Sequence, residues 1–392
     1  MDQYEEGYDK KEIEVLVCDP IVKKDGLKNY VVYTLKGQDQ DGNFEVVRRF
    51  NEFDCFRTTL QIRWPGCYIP PLPIKKPVGN MDQKFIDERM HYLNLFMIKM
   101  ATINHLWYSD ECKLFIRGNG DIEKQLIAFQ KPTHRDIIYK YETVFKDFSG
   151  KEINDQLLTK IQNFSLFLRR IQPQLETFQQ QAKLLVQSRV QCQDNMNLLL
   201  DYLMPEYEKN CLTEYVVNPE NKLVFVQHNA ELYQQYRAAN EKSSIDNFAL
   251  SIKIETRDID AIIEAIQCKE KYEQIKQNYL SKLCSLSNEK KDIENGKTTL
   301  KSLFNSNKEE FIQKTQQQID NVQIEIEQLT NLCDIITVII GYYILPKYKQ
   351  EKEKNYYSLL KQMAQHQVQK AQAERNYWLD LDKNQMFLEV LN

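Results

Sequence analysis

From Ile153 to Leu381 apolar residues recur every three or four positions with few interruptions, and that period decides what the C-terminal part of the chain can become. In the first block Ile153, Leu157, Ile161, Phe164, Ile171, Leu175, Phe178, Ala182 and Leu185 step along one helical face, and the block runs to about Tyr207. A second block follows Asn218-Pro219-Glu220 and extends to Asn295-Gly296; a third begins near Leu300 and continues to Leu381. At about 1.5 Å per residue, blocks of roughly 55 to 80 residues are about 80 to 120 Å long. Helices of that length do not fold back into a globule, so they are expected to bury their stripes against one another and against a second copy. Pro173, Pro205 and Pro346 fall within or at the ends of these blocks. A proline in a helix removes a hydrogen bond and bends the axis, which predicts a curved body. The low count of turn formers agrees with long helices: 11 glycines in 392 residues, 28% of which are charged.

The N-terminal part has a different period. Glu12 to Cys18 alternates and is rich in β-branched residues, Asp25-Gly26 marks a turn, and Asn29 to Leu35 reads as a second strand. Asp41-Gly42 is a hairpin signal leading into a third strand, Phe44 to Phe50. Phe53, Phe56, Leu60 and Trp64 then recur at helical spacing until Pro65-Gly66 stops the helix. Prolines at 70, 71, 73 and 77 hold the next segment near polyproline II and partly pre-position Lys75 and Lys76. Helix returns at Gln83, with Phe85, Arg89, Leu93 and Phe96 on one face; another covers roughly Tyr108 to Ile116, and Gly118-Asn119-Gly120 closes the unit. The expected fold is therefore an α+β N-terminal domain, a three-stranded antiparallel sheet plus helices, followed by an all-α elongated three-helix bundle.

Four basic residues and a ring stand out in the first domain. Arg48, Arg49 and Phe50 end the third strand, Lys75 follows the proline loop, and Arg89 sits in a helix. Arginine does not titrate near neutral pH, so the set cannot do bond-making chemistry. It can hold an anionic, ring-shaped polar group, because guanidinium forks match phosphate oxygens in pairs, lysine acts as a point charge and an aromatic face lies against a sugar-like ring. Taken singly, strand-end arginines are mostly solvated or ion-paired, and Glu52, Asp54, Asp87 and Glu88 are close in sequence. Taken as an ordered set with the proline loop, they read as a phosphate-recognition site.

Other patterns exclude function classes. A net charge of −4 argues against a general nucleic-acid binder. The nine cysteines contain no C-x-x-C pair, and their odd number and wide spacing read as free thiols of a reducing compartment. His134-Arg135-Asp136 mimics a kinase triplet, but Tyr141 stands where the asparagine is needed, and no glycine-rich loop lies upstream. Gly296-Lys297-Thr298 mimics the end of a P-loop, but Lys291 occupies the first glycine position. Asn163-Phe164-Ser165 is a glycosylation acceptor only in a secreted chain. The five histidines have no metal spacing. No catalytic residues, metal or cofactor are expected. The acidic N-terminus lacks an apolar leader, and the most apolar run, Leu332 to Leu345, is interrupted by Asp334 and reaches only about 20 Å as a helix, so a soluble cytosolic chain is expected. Between Asp121 and Phe148, Ile137, Ile138, Tyr141, Val144 and Phe145 make an apolar face. That face suits a membrane interface and equally suits packing against a neighbouring domain.

In the order and spacing of RRFNEF, YIPPLPIKKP and FIDER, with the elements around them, residues 10 to 118 resemble a PX (phox-homology) domain, and the three long blocks resemble the BAR domain of the PX-BAR sorting nexins. The resemblance implies a polar tail at 1–10, a PX domain at 11–118, a linker with an amphipathic helix at 119–150 and a BAR dimerisation domain at 151–392. It implies that Arg49 pairs with the 3-phosphate of phosphatidylinositol 3-phosphate, Phe50 stacks on the inositol ring, Lys75 reaches the 1-phosphate and Arg89 binds the ring hydroxyls. Arg48 is expected to face away or to orient its neighbour. Ile74, Lys76 and Val78 in the loop, and Lys297 and Lys301, are candidate membrane contacts. Glu294 to Phe304 resembles a tip between the second and third BAR helices, of the subgroup linked to endosomal recycling and autophagy. The stretch from Lys352 to Trp378 resembles the last helix. The implied protein is a non-enzymatic peripheral membrane protein of endosomes or autophagic membranes that senses or induces curvature in sorting and tubule formation. Its expected partners are an anionic membrane surface and a homodimer or a heterodimer with another BAR-containing sorting nexin, with no nucleic acid. The competing reading is a coiled-coil scaffold or tether that uses its PX domain mainly for protein–protein interaction.

Overall fold

Alternation and turn chemistry at the N-terminus produce an antiparallel sheet of order β1-β2-β3, with β1 at Glu14–Asp25, β2 at Lys28–Asp39 and β3 at Gly42–Arg49. The computed structural model describes residues 13–25, 28–75, 82–212, 230–241, 244–295 and 308–383. The β2–β3 register runs from Asp39 opposite Gly42 at the turn to Val32 opposite Arg49, which brings Arg49 to the end of the sheet. Helices α1 (Phe50–Arg63), α2 (Gln83–Ala101), α3 (Asn104–Trp107) and α4 (Asp110–Arg117) complete the domain. The helical spacing read from the sequence has its physical counterpart in the core. Phe53 and Phe56 on α1 are fully buried against Phe96 of α2 and Phe115 of α4, with Phe56 and Phe115 stacked at 4.3 Å.

Asp121 to Phe148 forms α5 (Ile122–Ala128) and α6 (His134–Val144), and the structure decides between the two readings of this segment. Ile137, Tyr141 and Phe145 are buried in protein. The Tyr141 hydroxyl donates to the Pro65 carbonyl at 2.7 Å, and its ring lies parallel to Trp64 at 5.9 Å. Lys140, expected among the polar positions, lies 3.9 Å from the centre of the Trp64 ring and donates to the Arg63 carbonyl; burial lowers its pKa to about 8. Ile137, Tyr141 and Phe145 of this face therefore pack against protein, while Val144 is 38% exposed.

Where the structure describes them, the long blocks are helices. α7 spans Asp155–Leu198 and stays helical to 212; the second block comprises α8 (Ala230–Glu241) and α9 (Ser244–Glu294). The third comprises α10 (Lys308–Val338), a wide turn at Ile339–Ile344 and α11 (Leu345–Asp382). Helix thus passes through Pro205 and Pro346. Each follows a stretch of i→i+5 winding, at Leu199–Leu203 and Ile339–Ile344, and such winding relieves the clash between a proline ring and the carbonyl one turn back. Gly341 lies in the second of these stretches, where a Cβ would come within 2.5 Å of Leu157 Cδ1, so any larger residue there requires the Leu157 side chain to move. The apolar run Leu332 to Leu345 is part of one helical path from 308 to 382, so its length does not set it apart. An 18-residue window of this helical path is apolar enough to cross a membrane, yet 56% of that window is buried in protein, and along the path Leu332, Ile336, Ile340 and Leu345 are core residues.

The chain divides into two compact units, 1–168 with 257–347 and 169–256 with 348–392. The second has its own aromatic core: Leu200 packs with Tyr233, Tyr236 and Tyr377, the last two rings 5.1 Å apart. The first block's predicted stripe is only partly covered. Leu157, Ile161, Phe164, Leu175 and Ala182 are buried, but Phe178 and Leu185 are each 55% exposed. The nine cysteines are free.

One buried base gives the fold a pH dependence. His105 sits among Trp64, Phe145 and Tyr343, and its Nε2 has no hydrogen-bond partner among the described residues. Burial, helped by Lys347 and Lys140, lowers its pKa from 6.5 to about 3. The folded chain keeps this ring neutral while the unfolded chain takes up a proton below about pH 6.5, so stability falls as pH drops and continues to fall to about pH 3. The loss at pH 5 is on the order of 2 kcal/mol. Thermal melts at pH 7, 6 and 5 should show His105→Gln less sensitive to acid than the parent; equal slopes would show that His105 does not carry the effect.

Candidate functional site

The sheet ends and α1 begins at a single peptide. Arg49 has extended backbone (φ −96°, ψ 160°), and its N–H donates to Glu52 Oε2 at 2.7 Å, closing the first turn of α1. The two arginines of this corner therefore diverge. Arg48 is 5% exposed and turns inward; its Nε donates to the Phe115 carbonyl at 2.9 Å and its guanidinium to the Gly118 carbonyl at 2.6 Å. It fastens β3 to the end of α4. Arg49 faces outward with 43% of its side chain exposed, and Nε and a terminal nitrogen both meet Glu123 Oε1 of α5, at 3.0 and 2.9 Å.

Phe50, the first residue of α1, is 7% exposed. The Arg89 guanidinium lies 4.2 Å from the centre of its ring and 4.4 Å from that of Phe85, held between two aromatic faces. Arg89 is itself only 7% exposed, and burial lowers its pKa. Among the described residues it forms no ion pair and its Nε makes no hydrogen bond. A guanidinium withdrawn from water without an anion is costly.

Lys75 reaches the same place from the proline loop. Its Nζ is 3.3 Å from Asp54 Oδ2, one turn along α1 from Phe50, and the side chain is 62% exposed. Ile74 beside it is 68% exposed. Arg49 thus caps α1 and Phe50 begins it, Arg89 lies on the Phe50 ring, and Lys75 pairs with Asp54 one turn on. Lys76, Val78, Lys297 and Lys301 lie outside the described residues. Arg49 and Lys75 are each paired with a carboxylate, whereas Arg89 has none among the described residues. Asp54 is near enough in sequence to be foreseen, but Glu123 is not, since no local periodicity pairs residues 74 positions apart. Among the described residues no group of three His, Cys, Asp or Glu side chains is placed to hold a metal.

Residues 37–119 match the model of the PX domain. Vacuolar protein sorting-associated protein vps5 of Schizosaccharomyces pombe is 32% identical over 110 residues, 26% of this chain and 19% of that protein. Sorting nexin-7 of Mus musculus is 26% identical over 138 residues, 33% of this chain and 35% of that protein. The chain thus spans well under half the length of these curated relatives. The cryo-EM structure of the SNX-BAR Mvp1 tetramer is similar across 94% of this chain and 100% of that one, with a TM-score of 0.60 at 17% identity. With a PX domain at its N-terminus and the long helices of the SNX-BAR fold behind it, the chain has the architecture of the PX-BAR sorting nexins.

Proposed function

We propose that this chain is a peripheral membrane protein that binds phosphatidylinositol 3-phosphate through Arg49, Lys75 and Arg89 and works in endosomal sorting and tubule formation. The observation that carries the reading is the buried Arg89 guanidinium, clamped between Phe50 and Phe85 beside two further cations and without an anion of its own among the described residues. In this reading Arg49 takes the 3-phosphate, Lys75 the 1-phosphate and Arg89 the free hydroxyls of the ring. Phe50 holds Arg89 in place and forms the wall against which the inositol lies. Ile74, exposed beside Lys75, is positioned to enter the bilayer surface.

The second element is self-association. Phe178, Leu185, Leu199 and Leu203 of α7 and its continuation are 40 to 55% exposed in the single chain. Such a face on a long helix is one that a second long-helix chain covers. The SNX-BAR Mvp1, whose fold is similar, is a tetramer in its cryo-EM structure. Two headgroup sites on one assembly make the second contact intramolecular, so avidity exceeds single-site affinity by roughly two decades. Curvature sensing, the endosomal location and a link to autophagic membranes follow from likeness to the PX-BAR sorting nexins.

Liposome co-sedimentation tests the reading, with vesicles holding the 3-phosphate lipid, bisphosphorylated lipids or neither, and light scattering for mass. The expected result is sedimentation that requires the 3-phosphate and a mass of at least twice the 46.7 kDa chain. Binding no better with phosphoinositide than without it would favour a scaffold whose PX domain contacts protein. A further outcome concerns Glu123, which occupies Arg49 in the absence of ligand. Glu123→Gln releases the guanidinium and removes a negative charge beside the phosphate, so soluble inositol 1,3-bisphosphate should bind about two- to fivefold tighter, the worth of an exposed ion pair. Weaker binding in calorimetry would mean that Glu123 orients Arg49 for the ligand.

A further inference from the structure

The proline loop that carries Lys75 is fastened to a helix far along the chain. Arg257 of α9 donates to the Leu72 carbonyl at 3.2 Å, and its guanidinium lies 4.5 Å from the centre of the Tyr92 ring. Its neighbour Asp258 accepts the Tyr68 hydroxyl at 2.8 Å with one oxygen and pairs with Lys99 of α2 through the other. Arg57 of α1 donates to the Pro70 carbonyl at 2.8 Å and is itself held by Glu264 of α9 at 2.5 Å, which also accepts from Gln61 at 2.9 Å. From Tyr68 to Leu72, then, the anchors of the loop are α9 and an arginine that α9 grips.

Rigidity carries this anchoring to the site. Residues 70, 71 and 73 are prolines with fixed φ. Lys75 lies three residues beyond Leu72, a reach of at most about 11 Å. A lysine on a free loop loses several rotors and backbone degrees of freedom on meeting an anion, whereas one whose loop is already held loses fewer. The carboxylate that holds Lys75 in the absence of ligand, Asp54, is exposed and gives it little order of its own.

We infer that Arg257 and Asp258 are positioning residues for the Lys75 limb of the headgroup site, so that the long helix sets the affinity of the PX domain in the same chain. This rests on the phosphoinositide reading above. It makes headgroup affinity a property of the docked pair, and anything that shifts α9 against α1 changes lipid affinity without touching a ligand-binding residue.

The experiment is calorimetric titration of the full chain with soluble inositol 1,3-bisphosphate, which excludes bilayer and avidity effects. The parent is compared with Arg257→Ala, Lys75→Ala and the double variant, each first checked by thermal melting. The expected result is a three- to tenfold loss for Arg257→Ala, the worth of about one hydrogen bond, and no further loss when it is added to Lys75→Ala. Full additivity in the double variant would show that Arg257 acts on the fold at large and would overturn the inference. So would unchanged affinity in Arg257→Ala while Lys75→Ala is impaired, which leaves the headgroup site standing. No binding by the parent would instead remove the site and the inference together. Should Arg257→Ala fail to fold, Asp258→Asn takes its place in the same cycle, with the same two outcomes deciding.

Discussion

Arg49→Ala abolishes 3-phosphate-dependent liposome binding while the chain keeps its melting temperature and its oligomeric mass. The separation of the two effects follows from where Arg49 stands. Its side chain is 43% exposed, and its contact is with Glu123, itself 28% exposed; such a pair contributes about 0 to 1 kcal/mol. No side-chain cap of α1 is lost, because the first turn is closed by the Arg49 backbone N–H and Glu52. A guanidinium meeting a phosphate with two charge-assisted bonds contributes roughly 3 to 6 kcal/mol, which is two to four decades of affinity. Micromolar binding at one site would weaken to about 0.1 to 10 mM, and avidity cannot restore what both sites have lost. Arg89→Ala would be less informative, since removing a side chain clamped between Phe50 and Phe85 opens a hole in the domain. Co-sedimentation and melting on the same purified Arg49→Ala preparation decide the matter. Retained binding with an intact fold would take the 3-phosphate away from Arg49.

How much of this was legible in the sequence depends on the range over which each signal acts. The alternation of Glu12 to Cys18 and the Asp41-Gly42 turn are local, and strands form at both, although β1 runs on to Asp25 and β3 ends at Arg49, with Phe50 already in α1. So are the periods that place Phe53, Phe56, Leu93 and Phe96 in one core. The long blocks were readable because a helical stripe repeats many times, but the stripe alone did not say which residues its own chain covers: Leu175 is buried and Phe178, one turn on, is not. The order Arg49, Phe50, Lys75, Arg89 carried the site, since the proline loop and the two helices leave few ways to arrange it. What the sequence did not reveal has long-range partners. The α6 face is closed by Trp64 and Pro65, Arg49 by Glu123, and the proline loop by Arg257 and Asp258. None of these pairings leaves a trace in local spacing. Burial likewise gives Phe50 a second task, since the ring expected to meet inositol also supports Arg89.

Gly66→Val is the substitution expected to cost the fold most, and its cause is a contact invisible in the sequence. Pro65-Gly66 was read as a helix stop, and Gly66 does turn the chain, at φ +77°. It also lies against α10: a Cβ there would sit 2.5 Å from Ile336 Cγ2 and 3.0 Å from Cγ1, and Ile336 is fully buried in the long apolar run. A β-branched residue at positive φ costs about 1 to 2 kcal/mol in backbone energy, and forcing atoms into a packed core costs about 1 to 3 kcal/mol more. The sum, roughly 2 to 5 kcal/mol, lowers the melting temperature by about 5 to 15 °C for a unit of this size. Ile336 cannot retreat easily, because Leu332, Cys333 and Ile340 around it are buried as well. Gly66→Ala should fall between Gly66→Val and the parent, since it meets the same Ile336 atoms without the branched carbons. The proline loop begins two residues later, so soluble headgroup affinity should fall with the melting temperature. A Gly66→Val chain that melts within a degree of the parent would show that α1 and α10 do not meet at this glycine in solution. The docking that holds the loop, and with it the coupling between the long helix and the headgroup site, would then have to be given up.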